Sequence, residues 1–356
     1  MDIRIEPVAV PETLDAPEAA EFVALAELSN QAWRRESGTD LHDDDPRELI
    51  VRWRETPYRA TRVIAARVDG EPAGMAYLEL DKTTQESAEI DVSLAAEHDD
   101  GPVADALFAE LERIARESGR RILQSWTIHR AEPVEDRVIP PTGAGWIPLD
   151  AGYRRMVRNG YALGQVERNS VFDLQGSYDA VDRLLEQALA KAGPDYRAVW
   201  WSGATPPEYA AGYAAAIARM SSDVPVGELS AEQSVWDAER VFERDGRFAE
   251  AGTLMGVTLV IHEPTGEVAA FNELQIGPDR TRPTSQWGTL VMPEHRGRRL
   301  GAIVKCVGLR RWHEIVPESP CVSTFNAEEN RYMLDVNEAV GFVPASYAGA
   351  WEKKLA

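Results

Sequence analysis

QWGTLVMPEHRGRRLGAIVK, Gln286–Lys305, decides how this chain is read. Gln286–Met292 is β-rich and runs into Pro293. A basic turn holding Gly297 and Gly301 follows, and then a helical stretch from about Arg298 to Ile315. A strand–turn–helix junction presents unpaired backbone N–H groups at the helix start, where the helix dipole adds partial positive charge. Together they make an anion site suited to phosphate. Between His295 and Arg311 lie six basic residues, Arg296, Arg298, Arg299, Lys305, Arg310 and Arg311, and no acidic one. The whole chain carries 59 acidic residues and a net charge of −21, so the local reversal calls for a reason. A solvated basic helix face would account for the charge alone. The two glycines, placed where backbone must approach a ligand closely, favour a bound polyanion.

Outward from this stretch the second half reads in a fixed order. A helix is expected over Pro206–Met220, a hairpin over Gly256–Ile276 with Thr265-Gly266 at its tip, and the strand Gln286–Met292. After the helix ending at Ile315 come a short strand Cys321–Phe325, a helix Ala327–Ala339 and a strand pair Gly341–Leu355. The first half repeats the order: a helix near Glu18–Arg35, an acidic loop Thr39–Asp45, a hairpin Arg62–Leu80 turning at Asp69-Gly70, a strand Ala88–Leu94 and a helix Pro102–Ser118. Two copies of one α+β unit follow from this echo, divided at a QGS loop into 1–174 and 175–356. The helix Tyr178–Ala192 and strand Tyr196–Trp201 open the second unit.

Composition narrows the function classes. No apolar run reaches the ~20 residues of a membrane helix, and the N-terminus lacks the pattern of a secretory leader. The strong acidity disfavours nucleic acid and anionic membranes as partners and suits a cationic acceptor such as an amine. The two cysteines, Cys306 and Cys321, have no metal-type spacing, so no metal site is expected and a cytoplasmic location with reduced thiols is the default.

HRGRRLGA, His295–Ala302, resembles motif A of the GNAT acyltransferases, Gln/Arg-x-x-Gly-x-Gly/Ala. Arg296 fills its first position and Gly301 its last, while Arg299 stands where the first glycine usually is. TFNAEENRYMLDVNEAVGF, Thr324–Phe342, resembles the family's later segment Asn-x-x-Ala-x-x-x-Tyr-x-x-x-Gly-Phe, with Asn330 and Gly341-Phe342 in register. The resemblance covers roughly Tyr196–Leu355. It implies a tandem GNAT fold of α+β class: two acyl-CoA N-acyltransferase-like domains, each a mixed, mostly antiparallel sheet flanked by helices. It implies acetyl-CoA held by the backbone of Leu290, Val291 and Met292, by the loop Arg296, Gly297, Arg298, Arg299, Leu300, Gly301 and Ala302, and by Asn326 and Asn330. The reaction implied is transfer of an acetyl group to the primary amine of a small molecule, by a monomer or homodimer.

Direct attack on a thioester needs a deprotonated amine, a polarised carbonyl and a protonated leaving thiolate, and no covalent enzyme intermediate. Glu273, among apolar neighbours in AAFNELQI, is the candidate base. Gln286 and Trp287 open the cofactor strand and are candidate substrate contacts. The family's acid tyrosine aligns with Asn337, so Tyr332 or Tyr347 is the candidate acid. Cys306 reads as a small buried helix residue.

The corresponding stretch of the first half, SLAAEHDDGPVADALF, Ser93–Phe108, puts Glu97, Asp99 and Asp100 in place of the basic residues. The first unit therefore reads as a degenerate copy without coenzyme A, as in tandem GNAT proteins similar to mycothiol synthase. Its loop Asp40, Asp43, Asp44, Asp45 is read as solvated, with attraction of a cationic acceptor as the other reading. The acceptor stays open between a general small amine and a cysteinyl pseudodisaccharide, and a non-catalytic acyl-CoA-binding module is the reading from another class.

Overall fold

The computed structural model describes residues 2–99 and 101–356. The first half consists of β1 (Ile3–Pro7), α1 (Ala19–Ser37), α2 (Pro46–Trp53), β2 (Arg59–Val68), β3 (Glu71–Asp81), β4 (Ser87–Leu94), α3 (Pro102–Glu117) and β5 (Ile122–Arg130). Two short strands, β6 (Arg137–Val138) and β7 (Ile147–Pro148), then α4 (Ala151–Arg158) and β8 (Ala162–Asp173), complete it. The second half consists of α5 (Asp179–Ala192), β9 (Tyr196–Ser202), α6 (Pro207–Asp223), α7 (Ala238–Glu250), β10 (Leu254–His262), β11 (Glu267–Ile276), β12 (Thr284–Val291), α8 (Leu300–Ile315), β13 (Cys321–Ala327), α9 (Arg331–Val340) and β14 (Val343–Lys354).

Twelve strands form one sheet in the order β1-β2-β3-β4-β5-β14-β8-β13-β12-β11-β10-β9. Helices cover both faces, which is the α+β arrangement the motif resemblance implies. The pairs β4/β5 and β12/β13 are parallel and the other ladders of the sheet are antiparallel. The last strands of the halves are exchanged. β8 pairs with β13 of the second half, from Cys321↔Asp173 to Ala327↔Glu167, and β14 pairs with β5 of the first half, from Ser346↔Arg130 to Lys354↔Ile122. The position 174/175 falls between β8 and α5. The strand pair expected over Gly341–Leu355 is one long strand, because β14 finds partners on both sides in β5 and β8 rather than folding on itself.

Local chemistry explains the elements that place the site. Asp69 and Gly70 turn the β2–β3 hairpin with φ of 51° and 96°, the left-handed pair that a two-residue turn requires. Asp45 caps α2 by accepting the Arg47 N–H at 2.8 Å, with Pro46 in the first turn. The segment between α6 and α7 straps the halves together. Ser230 N donates to Glu352 at 2.5 Å, and Glu232 accepts the N–H groups of Gln85, Glu86 and Ser87 at 2.7–3.1 Å. Against its burial, the Ser87 hydroxyl and those N–H groups hold the Glu232 carboxyl down at about 2. Among the described residues no helix is long and apolar enough to cross a membrane.

Candidate active site

β12 leads through Val291 into a tight turn, Pro293–His295, closed by His295 N–H to Met292 O at 2.9 Å. Gly297 has φ 79° and Arg299, the residue before α8, has φ 59°. The first helical bonds run from Ala302 and Ile303 N–H to Arg299 O, at 3.1 and 3.3 Å. Among the described residues, none accepts the N–H groups of 297 through 301. Five consecutive free donors at a helix start are an anion cradle. Arg298 and Arg299 have no carboxylate within ion-pair distance among the described residues. Arg296 reaches Val291 O at 3.3 Å and lies 3.5 Å from Asp223. The rest of the basic cluster does not serve this loop: Arg310 pairs with Asp182, Arg311 with Glu314 at 3.1 Å, and Lys305 is buried.

Arg299 holds a backbone conformation that costs an L-residue roughly 1–2 kcal/mol. That accounts for a glycine at this position of the motif. Arg299→Gly is expected to be about 1 kcal/mol more stable than Arg299→Ala in urea unfolding, since both lose the side-chain bond to Gln187 and only glycine relieves the strain.

β12 and β13 pair only at Thr284↔Val322 and Ser285↔Ser323, and beyond them β13 stays with β8. The opening lies beside α8 and α9. Gln286 bridges its mouth to Thr324 Oγ1 at 2.9 Å, and Asn337 donates to Asn326 Oδ1 at 2.7 Å. Thr324 and Asn326 are two residues apart and share one face of β13. Among the described residues Gln286 Oε1, Asn337 Oδ1 and Lys305 Nζ are buried without hydrogen-bond partners, Lys305 Nζ lying 5.6 Å from the Phe342 ring. Lys305 lies one helical turn beyond Gly301 and is 0% exposed, and burial pushes its amine down to about 7. Unmatched buried acceptors and a donor beside an open strand pair fit a ligand carrying amides.

On the opposite face of the sheet, a cleft of about 710 Å³ lies between the halves. Glu273 lies at its floor, 4% exposed. The β11–β12 ladder slips there, so Trp287 and Gly288 oppose Glu273 alone. Gly288 N–H donates to Glu273 Oε2 at 3.0 Å, Arg244 Nη1 lies 2.9 Å from Oε1, and the Tyr213 hydroxyl donates to Oε1 as well. A Cβ on Gly288 would fall 2.6 Å from Phe271 and 2.8 Å from Glu273, so the slip demands glycine. This network holds the Glu273 side chain between Arg244, Tyr213 and the Gly288 N–H. Removing one member of a buried pair leaves an uncompensated charge. Arg244→Met is expected to cost about 3–5 kcal/mol in denaturant unfolding.

The structure gathers only part of the expected set. Trp287, 50% exposed, lines the cleft, while Gln286 faces the opening on the other side of the sheet. Leu290 and Met292 pack toward α6 and α7, and Val291 toward α8. Asn330 caps α9, its Oδ1 accepting Met333 N–H at 3.3 Å. Tyr332 is not brought to the site: it is 89% exposed on α9. Tyr347 packs on Trp146, with ring centroids 5.5 Å apart, against the core of the first half. Cys306 is buried, and burial pushes its thiol up to about 12, which leaves it no nucleophilic role.

Sequence reading missed the contribution of the first half. Its acidic loop is solvated only in part: the Asp40 side chain is exposed, but the Asp43 side chain is nearly buried. Asp43 pairs with Arg34 and lies 3.2 Å from Arg282 of the second half, and His42 packs at a tilt on Phe325 with centroids 5.3 Å apart. Glu48, in the first turn of α2, enters the cleft and accepts from Thr253 Oγ1 at 3.1 Å. Glu48 has no cationic partner within ion-pair distance among the described residues. Burial and the nearby Asp44 and Asp45 push its carboxyl up, against Thr253 and Arg52. Sequence reading gave no sign of Glu48, because Thr253 and Gln275, which it meets, lie more than two hundred residues away.

The equivalent loop of the first half lacks the basic residues that surround the cradle. Asp99 is tied to Arg35 at 3.3 Å and to the buried Arg155 at 3.0 Å, so the turn is filled by its own ion pairs; Asp100 lies outside the described residues.

The chain superposes over 99% of its length on a tandem GNAT protein from the clavulanic acid biosynthesis pathway, with TM-score 0.72, 21% identity and 98% of that chain covered. A GCN5-related N-acetyltransferase from Sphaerobacter thermophilus matches at TM-score 0.62 and 14% identity, over 99% of this chain and 95% of that one. A glucosamine N-acetyltransferase region of a fungal multi-domain β-N-acetylglucosaminidase matches at 0.59 and 12%, over 99% of this chain and 38% of the other. No protein-family model and no curated protein matches the sequence. The chain has the tandem GNAT fold.

Proposed function

Proceeding from that fold, we propose that the protein is an N-acetyltransferase that moves an acetyl group from acetyl-CoA to the primary amine of a small molecule, in a ternary complex. The cradle of five free N–H groups at residues 297–301 carries this reading. The pyrophosphate fits that cradle, with Arg296, Arg298 and Arg299 around it and Leu300 and Ala302 shaping the helix start. The amides of the pantetheine arm fit the opening between β12 and β13, where Gln286, Asn337 and Lys305 have unmatched polar atoms. Bound there, the coenzyme supplies an activated acetyl thioester.

The chain's own groups then divide the work. The residues 175–356 hold the coenzyme, and the residues 1–174 wall the cleft opposite it without a coenzyme loop of their own. Trp287 and the cleft walls orient the acceptor. Glu48 receives the ammonium and takes its proton, a role suited to a carboxylate that lacks a cationic partner and is raised by burial. Glu273, held by Arg244 and Tyr213, fixes the slipped strand at Gly288 rather than accepting that proton.

The test is release of free coenzyme thiol across a panel of primary amines. Amine-dependent release supports the enzyme, and acetyl-CoA binding with no release from any amine would make the chain a binding module. Glu48→Gln is expected to lower amine-dependent kcat/KM by about 100-fold, the low end of the range for a lost acid–base group. Its acetyl-CoA affinity is expected to stay unchanged by calorimetry. An unaltered rate would remove Glu48 from the reaction.

A further inference from the structure

Three side chains outside the coenzyme cradle meet at its root. His262 ends β10, Glu267 opens β11 opposite it in the hairpin, and His295 closes the turn before Arg296. One donor atom from each lies within 4.8 Å of the others. We propose that His262, Glu267 and His295 form a binding site for a divalent first-row transition ion, with zinc the best match to the donor set.

Two imidazole nitrogens and one carboxylate oxygen, with a position left for water, form a donor set that zinc accepts. The outer contacts are already in place. His262 Nδ1 lies 2.9 Å from Thr265 Oγ1, and that hydroxyl donates to Glu267 Oε2 at 2.9 Å. Since Thr265 spends its proton on Glu267, it accepts the Nδ1 proton of His262, which leaves the Nε2 lone pair free. His295 Nδ1 lies 3.0 Å from the Tyr196 hydroxyl, so the nitrogen it offers is also Nε2. Among the described residues, neither Nε2 has a hydrogen-bond partner. Ring packing restrains both: His262 and His295 have centroids 4.9 Å apart, and Tyr196 lies 5.0 Å from His262 and 5.7 Å from His295. Imidazoles whose second nitrogen is held by an oxygen are the usual state of metal ligands. Donors at about 2.0–2.2 Å from one ion stand roughly 3.5 Å apart. The exposed Glu267 at the hairpin turn is free to close the difference. Spacing in sequence hides the site, because the ligands come from three segments, and the expectation of no metal is revised accordingly. An ion there ties the β10–β11 turn to the Pro293–His295 turn that leads into the cradle.

The whole chain, stripped with EDTA and dialysed, is titrated with Zn²⁺ against a chromogenic chelator, and with Co²⁺ followed by visible absorption. One ion per chain is expected. His262→Ala is expected to weaken it by at least 100-fold, and Thr265→Val, which keeps every ligand, by about 10- to 100-fold. Circular dichroism of each variant checks its fold. His262 and Thr265 lie at the hairpin end, so these variants serve even where His295→Ala does not fold. No ion held against the chelator, or binding unchanged in the double variant His262→Ala/Glu267→Gln, overturns the proposal. The readout is metal binding alone and is independent of whether acetyl-CoA binds.

Discussion

Gly301→Asp is expected to lower acetyl-CoA affinity by more than a hundredfold while the protein stays folded. A Cβ at this position meets only Val291 Cγ2, at 3.5 Å, an ordinary contact, so the side chain is accommodated. Its charge is not. A carboxylate about 5 Å from a pyrophosphate charge, at an effective dielectric of about 20, opposes binding by roughly 3 kcal/mol, which is more than a hundredfold in affinity. It also faces the cradle N–H groups and satisfies them internally. Calorimetry with acetyl-CoA measures the loss, and an unfolding curve confirms the fold. Retained affinity would mean that the phosphates bind elsewhere.

The second large effect concerns the exchanged strands. Residues 175–356 expressed alone are expected to lack a cooperative unfolding transition, although they contain the whole coenzyme loop. Without β8, the ladders to β13 and β14 are both lost, and without β5 the other edge of β14 is bare as well. Unpaired edges of this length drive aggregation. Co-expression of 1–174 with 175–356 is expected to restore a soluble complex that unfolds as one unit. A fragment 175–356 that folds alone and binds acetyl-CoA would show that the exchange is dispensable.

What the sequence made legible was local. The Asp69-Gly70 turn, the Thr265-Gly266 turn and the strand–loop–helix run at Gln286–Lys305 each need particular φ values or charges within a few residues, and the structure has them. What stayed hidden was set by distant pairing. β5 and β8 were not anticipated as strands, and β14 was read as two, because their partners lie far along the chain. The same holds at the site. Glu273 drew notice as a lone carboxylate among apolar residues, but its pairing with Arg244, from a helix distant in sequence, was not visible there. Tyr332 was considered only because it shares a helix with Asn337, and its exposure was not visible in sequence. Glu48 follows the acidic loop, in the first turn of α2, and its packing against Gln275 and Thr253 only the fold reveals.

The central claim is a single coenzyme cradle, present in one of two similar units. Titration of the full-length protein with acetyl-CoA by isothermal calorimetry tests it most directly. One equivalent per chain is predicted, abolished in Gly301→Asp. Two equivalents, or none, would contradict it.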